Sequence, residues 1–407
     1  MHSGQNISSR VDLSLSPLLV EKRVAALAHA EKLGLPTKRL EAWHYTDLRQ
    51  LLKDTDIKAH QNEAHIGSEI AISSPYYIEL KAEEIIVSPE LMASDAITIS
   101  PLLENETYLA SIDEIDAMAS YNLALFDGGY AIEIHSTLAQ PLVLRYSAGQ
   151  HVRQKLNIAS GVFVELVEIL DTEQYINLVM DTELESGAKL QHTVVQETGS
   201  VVSLNRILLE DHAQFNKNII CATSRVARHD VQVSLCGMGA HAKLNGIIVA
   251  QAKAHIDLTS TIRHQSGDTS SATLIRSIIA DDARAVFQGK ICVDRDAQKV
   301  EAEQNSNALL LSDRAAMNAK PELEIYADDV ACAHGSTIGE IDRAALFFLR
   351  SRGIGAEEAI TLLLQGFVSE VLEGLENESL QSFVQQFITE RLSHIDVSQI
   401  NSEDKQS

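Results

Sequence analysis

Cys332 and His334 stand two residues apart in the run Ala331-Cys332-Ala333-His334-Gly335-Ser336-Thr337. On an extended strand that spacing sends both side chains to one face. A thiolate and a neutral imidazole are good ligands for iron, zinc or an iron–sulfur cluster, yet two ligands fall short of the four that such sites normally use. Either the site is incomplete or another chain completes it. Gly335, next to His334, allows a partner's backbone to come close. Cys332 taken alone reads equally well as a small buried residue. Asp328 and Asp329 just upstream suit a turn between strands as well as they suit attraction of iron. Most of the 15 histidines stand singly at turns or strand ends, as His135, His192, His229 and His255 do, and read as solvated or capping groups. His264 reads as a buried corner histidine.

Other chemistries find no residues to carry them. Gly237-Met238-Gly239-Ala240-His241-Ala242 fits a loose dinucleotide fingerprint, but Lys243 to Val249 alternates like a strand where a helix would have to open. The chain contains no G-x-x-x-x-G-K-[ST], no H-E-x-x-H and no G-x-S-x-G, so neither nucleotide binding by this chain itself nor enzymatic activity is expected. A formal net charge of -24 argues against nucleic acid and against an anionic membrane surface. The 4 cysteines, Cys221, Cys236, Cys292 and Cys332, include no close pair, which excludes a disulfide framework or a zinc module. No stretch approaches the roughly 18 apolar residues of a membrane span, and no signal-like start is visible, so the cytoplasm is the expected compartment.

The elements that must position the pair come in three kinds. Residues 1–75 read as a helical region: Ser16 caps, Pro17 opens and Gly34 stops a helix striped by Val20, Val24 and Leu27, and Trp43 follows as an aromatic anchor. Residues 76–335 alternate with period two, as in Val162 to Ile169. A turn-plus-strand phrase recurs there at Gly187-Ala188, His212-Ala213, Gly239-Ala240, Lys253-Ala254 and Asp282-Ala283. Its spacing is near 25 residues or about half that, as expected of a solenoid with more than one strand per coil. Asp127-Gly128 is the one clear hairpin turn. Residues 336–396 turn helical, with caps expected at Asp342 and Ser379, and 397–407 form a polar tail. The expected class is therefore mainly β, a parallel β-helix core flanked by N-terminal and C-terminal α-helical domains.

At these residues the chain resembles a known family. Gln304-Asn305-Ser306-Asn307, Leu309 to Ser312, Lys320 to Ile325, Asp328-Asp329-Val330, Cys332 to Thr337, Gly339 and the stretch from Leu346 to Ile354 are similar to the SufB/SufD iron–sulfur assembly family. Leu35-Pro36-Thr37 with Trp43 to Leu48 points to its SufD branch, and the lack of clustered cysteines near the N-terminus agrees. The sequence has Cys-Ala-His-Gly-Ser-Thr where Cys-Ser-His-Gly-Ala-Thr is more usual in that family. The resemblance implies a right-handed β-helix that pairs with a SufB-like paralogue through the cores, and C-terminal helices that dock a SufC-like ATPase. It implies a transient iron–sulfur cluster shared with the paralogue, His334 serving as a ligand and Cys332 as a second. The implied ATPase contacts are Leu346, Phe347, Leu349, Arg350, Ile354, Leu363 and Phe367. The resulting function is a noncatalytic scaffold subunit. A β-helix polysaccharide enzyme and a homo-oligomer without cluster chemistry are the alternatives, and a homodimer stays open beside the heterocomplex.

Overall fold

The computed structural model describes residues 15–53, 74–80 and 85–395, apart from 113, 115, 127, 147–150, 171–174 and 223–224. From Leu142 to Gly339 successive strands go alternately to two parallel sheets, one of ten strands and one of nine, in a solenoid of about 6 turns. The expected class is met: a mainly β chain with helices at both ends.

The corners explain why the chain coils. Ala188, Ala213, Ala240, Ala254 and Ala283 are all at most 1 % exposed, because a larger side chain would not fit where the chain bends over the core. Ala188, Ala213, Ala254 and Ala283 each donate the backbone N–H to the carbonyl three residues earlier, closing a tight turn. Each of these turns contains a left-handed residue: Gly187 at φ 72° and His212 at φ 57° directly before the alanine, and Ala252 at φ 54° and Asp281 at φ 55° two residues before it. The first three alanines precede strands of the ten-stranded sheet and the last two precede strands of the nine-stranded sheet. The half-spacing between Ala240 and Ala254 is thus the step from one sheet to the other.

Coils are not of equal length. Leu142 lies beside Leu166 and Lys189 beside Gln214, whereas Ser270 lies beside Glu301 and Arg284 beside Ala316, so one coil grows from 24 residues to 32 along the chain. The base of the solenoid is finished by short strands, with Ile85–Val87 antiparallel to Tyr77–Leu80 and Ile97–Pro101 antiparallel to Tyr130–Ile134. Inward-facing Leu, Ile, Val and Ala from both sheets fill the lumen.

Helices cover the outer faces. Pro17–Leu33, its C-cap Gly34 at φ 69°, and Ala117–Leu125 pack together over the nine-stranded sheet. Trp43 is buried there as the expected anchor. The Arg228 guanidinium lies 4.0 Å from its ring centroid and donates to the Ala42 carbonyl at 2.9 Å. Arg228 in turn pairs with buried Asp257 at 2.5 Å, so the clamp is a desolvated ion pair with an aromatic lid. On the other side, Arg343–Ser351, Ala356–Glu373 and Glu378–Ser393 pack on the ten-stranded sheet through Ile360, Leu364, Val368, Val384 and Ile388.

Three expectations change. The last strand runs Val330–Gly339, so the boundary placed at residue 335 falls inside it. Asn377, not Ser379, caps the third C-terminal helix, accepting from the Ser379 and Leu380 N–H groups. Asp127 lies outside the described residues; among those described, Gly128 bridges in parallel to Val152 and stands between the helix Ala117–Leu125 and the strand Tyr130–Ile134, not between two strands. The tail at 397–407 also lies outside the described residues.

Candidate metal centre at the open end of the solenoid

The strand Val330–Gly339 is the last of the ten-stranded sheet and bonds on one side only, to Val300–Leu310. Cys332 lies beside Ala302, His334 beside Gln304 and Ser336 beside Ser306. Ala302, Gln304 and Ser306 are buried and face the lumen, and in-register parallel neighbours point the same way. Cys332, His334 and Ser336 therefore face inward over a lumen that no further coil covers among the described residues. His334 is exposed, while Cys332 is half-buried against a cluster formed by Ile291, Val293, Val300 and Ala302. Burial pushes the Cys332 thiol above its ordinary pKa, so a metal bound there would have to displace the proton.

The spacing argument thus holds in three dimensions: thiol and imidazole share one face at the mouth. Asp328 and Asp329 resolve as turn residues, with the Asp329 N–H held by the Gln298 side-chain oxygen at 2.9 Å and its carbonyl taking the Lys299 N–H. Among the described residues no group of three or more His, Cys, Asp or Glu could hold a metal ion. The pair remains two ligands in search of others.

Several histidines differ from their sequence reading. His264 is buried as expected, between Thr269 at 2.8 Å and Ser271 at 2.9 Å. His192, His229 and His255 are buried too, not solvated. His192 Nε2 meets Glu168 at 2.6 Å, and its Nδ1 meets the Lys217 ammonium at 3.1 Å. Tyr146 donates its hydroxyl to Glu168 at 2.6 Å, and Lys217 also donates to Asn205. Burial and the nearby Lys217 charge lower the His192 pKa to about 4, and burial lowers Lys217 to about 8. Burial opposes the charge on Glu168, but His192, Lys217 and the Tyr146 hydroxyl outweigh it and hold the carboxyl at about 2. Sequence reasoning missed this lumenal group. The available signal was strand phase: Lys217 falls between the inward residues Phe215 and Ile219.

The expected docking residues divide sharply. Phe347 is 74 % exposed and Arg350 is exposed, whereas Leu346 is 3 % exposed. Leu346 faces the molecule's own core and offers nothing to a partner, which corrects its assignment. Leu349, Ile354, Leu363 and Phe367 are partly buried against the same core. Phe348, which the sequence reading passed over, is 53 % exposed beside Phe347, with the Arg352 guanidinium 4.1 Å from its ring centroid. Asp342 caps this helix as expected, accepting from the N–H groups of Ala344 and Ala345.

The chain is a helix-flanked parallel β-solenoid with a thiol and an imidazole on the inward face of its last strand. Residues 145–367 match the family model described as SUF system FeS cluster assembly, SufBD core domain, and the chain belongs to that family. It is 28% identical over 390 residues to the iron-sulfur cluster assembly protein SufD of Escherichia coli, covering 88% of this chain and 90% of that one. A SufBD family protein of Synechocystis is 25% identical over 418 residues, covering 91% of both. The SufD of Bacillus subtilis is 32% identical over 148 residues, 36% of this chain and 34% of its own. The SufD branch indicated by the sequence motifs is also the one that the names of the Escherichia coli and Bacillus subtilis relatives carry.

Proposed function

We propose that this chain is a noncatalytic scaffold subunit that apposes the open end of its solenoid to that of a SufB-like paralogue and helps build an iron–sulfur cluster between them. The observation that carries this reading is the placement of His334: an imidazole on the inward face of the last coil, exposed with no further coil over it among the described residues. The two exposed edge strands, Ala316–Ile325 and Val330–Gly339, offer unpaired backbone groups for a partner's strands. Iron and sulfide are substrates here, held in transit. The partner supplies the ligands this chain lacks, Cys332 standing by as a second. The SufC-like ATPase is assigned to the helix Arg343–Ser351, where Phe347 and Phe348 present an aromatic anchor.

Iron and acid-labile sulfide in the anaerobically co-purified complex test this reading, with wild type compared against His334→Ala. A several-fold loss of both from a complex of unchanged composition is expected. Unchanged content would remove His334 from cluster building.

A further inference from the structure

Gln304 lies directly beneath His334 in the ladder, about 4.8 Å away as neighbouring strands are. It is 1 % exposed, and its side chain crosses the lumen to the opposite sheet, where Nε2 donates to the Gly289 carbonyl at 3.3 Å. Only glycine permits that crossing, since a Cβ at position 289 would stand 2.2 Å from Gln304 Oε1. Oε1 itself has no hydrogen-bond partner among the described residues. A buried carbonyl oxygen without a donor costs about 1–3 kcal/mol, so a long amide held across the lumen in this way calls for a donor from elsewhere. Ser306 repeats the arrangement one position along: it is 2 % exposed, its hydroxyl has no partner, and it lies beneath Ser336.

The ladder sets two groups next to Gln304: Thr273 below it, whose buried hydroxyl also has no partner, and His334 above it, the one that could carry a metal. His334 carries a ring N–H, shares the inward face, and is exposed at the mouth with no further coil over it among the described residues. We propose that Gln304 is the positioning residue for His334: its Oε1 accepts one ring N–H, which fixes the tautomer and leaves the other ring nitrogen bare and directed out of the mouth. Histidines that bind metals commonly donate their second N–H to an oxygen in this way, and loss of that oxygen typically weakens metal binding about 10–100-fold. The inference rests on the reading of His334 as a ligand, but it makes a claim about the free chain that can be checked without metal.

The test is nitrogen-15 NMR of the histidine rings in the metal-free chain at pH 8, with the His334 signals identified by their loss in His334→Ala. In wild type the two ring nitrogens should give well-separated signals of a single tautomer. In Gln304→Leu they should collapse toward an averaged position. Averaged signals in wild type, or a Gln304→Leu spectrum identical to wild type, would overturn the proposal. The wild-type spectrum alone decides the matter if Gln304→Leu does not fold. In the complex, Gln304→Leu should lower iron affinity about 10–100-fold. A failed NMR test leaves the ligand reading standing, and unchanged iron in His334→Ala sinks that reading without touching the tautomer.

Discussion

Glu168, His192 and Lys217 make a buried relay in which a carboxylate and an ammonium are bridged by a neutral imidazole. Each of the three has a depressed pKa, and the consequences for stability run in different pH windows. Between pH 6.5 and about 4 the unfolded chain takes up a proton that folded His192 refuses, and His229 and His264, also lowered to about 4, behave alike. Stability should therefore fall as pH drops below 6.5, and fall further from 4.5 toward about 2 as unfolded Glu168 protonates. On the alkaline side, unfolded Lys217 holds its proton up to 10.5 while folded Lys217 releases it near 8, so this group adds stability as pH rises between those values. Urea unfolding midpoints at pH 5, 7, 8 and 10 read both slopes. Lys217→Met should lose the alkaline gain and be about 3–5 kcal/mol less stable at pH 7, because Glu168 is left as a buried charge with no cation near it. A variant as stable as wild type at pH 7 would show that the relay is not the compensating unit described.

Among the elements, the ones legible in the sequence were those specified by adjacent residues. The corner alanines, Pro17 at the helix start, Gly34 and Asp342 each act within a turn of themselves, so their chemistry appears as a local phrase, whereas the Ser16 hydroxyl expected to cap makes no cap bond. Partners one coil away are not written that way. Lys217 meets His192 across 25 residues, and no local pattern marks the encounter. The cap of the last helix shows the same limit at short range. Asn377 and Ser379 both favour caps, and the choice depends on where Leu375 and Leu380 must be buried, a tertiary matter. Asn377 also donates to Glu165 on the solenoid at 2.9 Å, so it ties the helix down as well as starting it. Asn377→Ala should cost about 1–2 kcal/mol in thermal or urea unfolding, while Ser379→Ala should stay within about 0.5 kcal/mol. Equal effects would return the cap to Ser379. For the site itself, the shared face of Cys332 and His334 followed from a spacing of two, but their exposure did not. Exposure depends on the solenoid ending there, and Gln304 became visible only when the ladder put it beneath His334.

For the molecule as a whole, the two ends of the solenoid are unequal. The open end presents two edge strands of 10 residues each. The base is blunted by edge strands of only 3 and 5 residues. If the open end recruits as proposed and the base does not, face-to-face addition uses up the reactive surface of both molecules. A stack in which each copy seeds the next would need two competent ends. Sedimentation of the free chain over a wide concentration range should show species no larger than two copies, and longer oligomers would contradict this. The short, antiparallel strands at Ile85–Val87 and Ile97–Pro101 thus act as a chain terminator, and a variant that lengthened or straightened them would turn a joint between two subunits into the growing tip of a fibre.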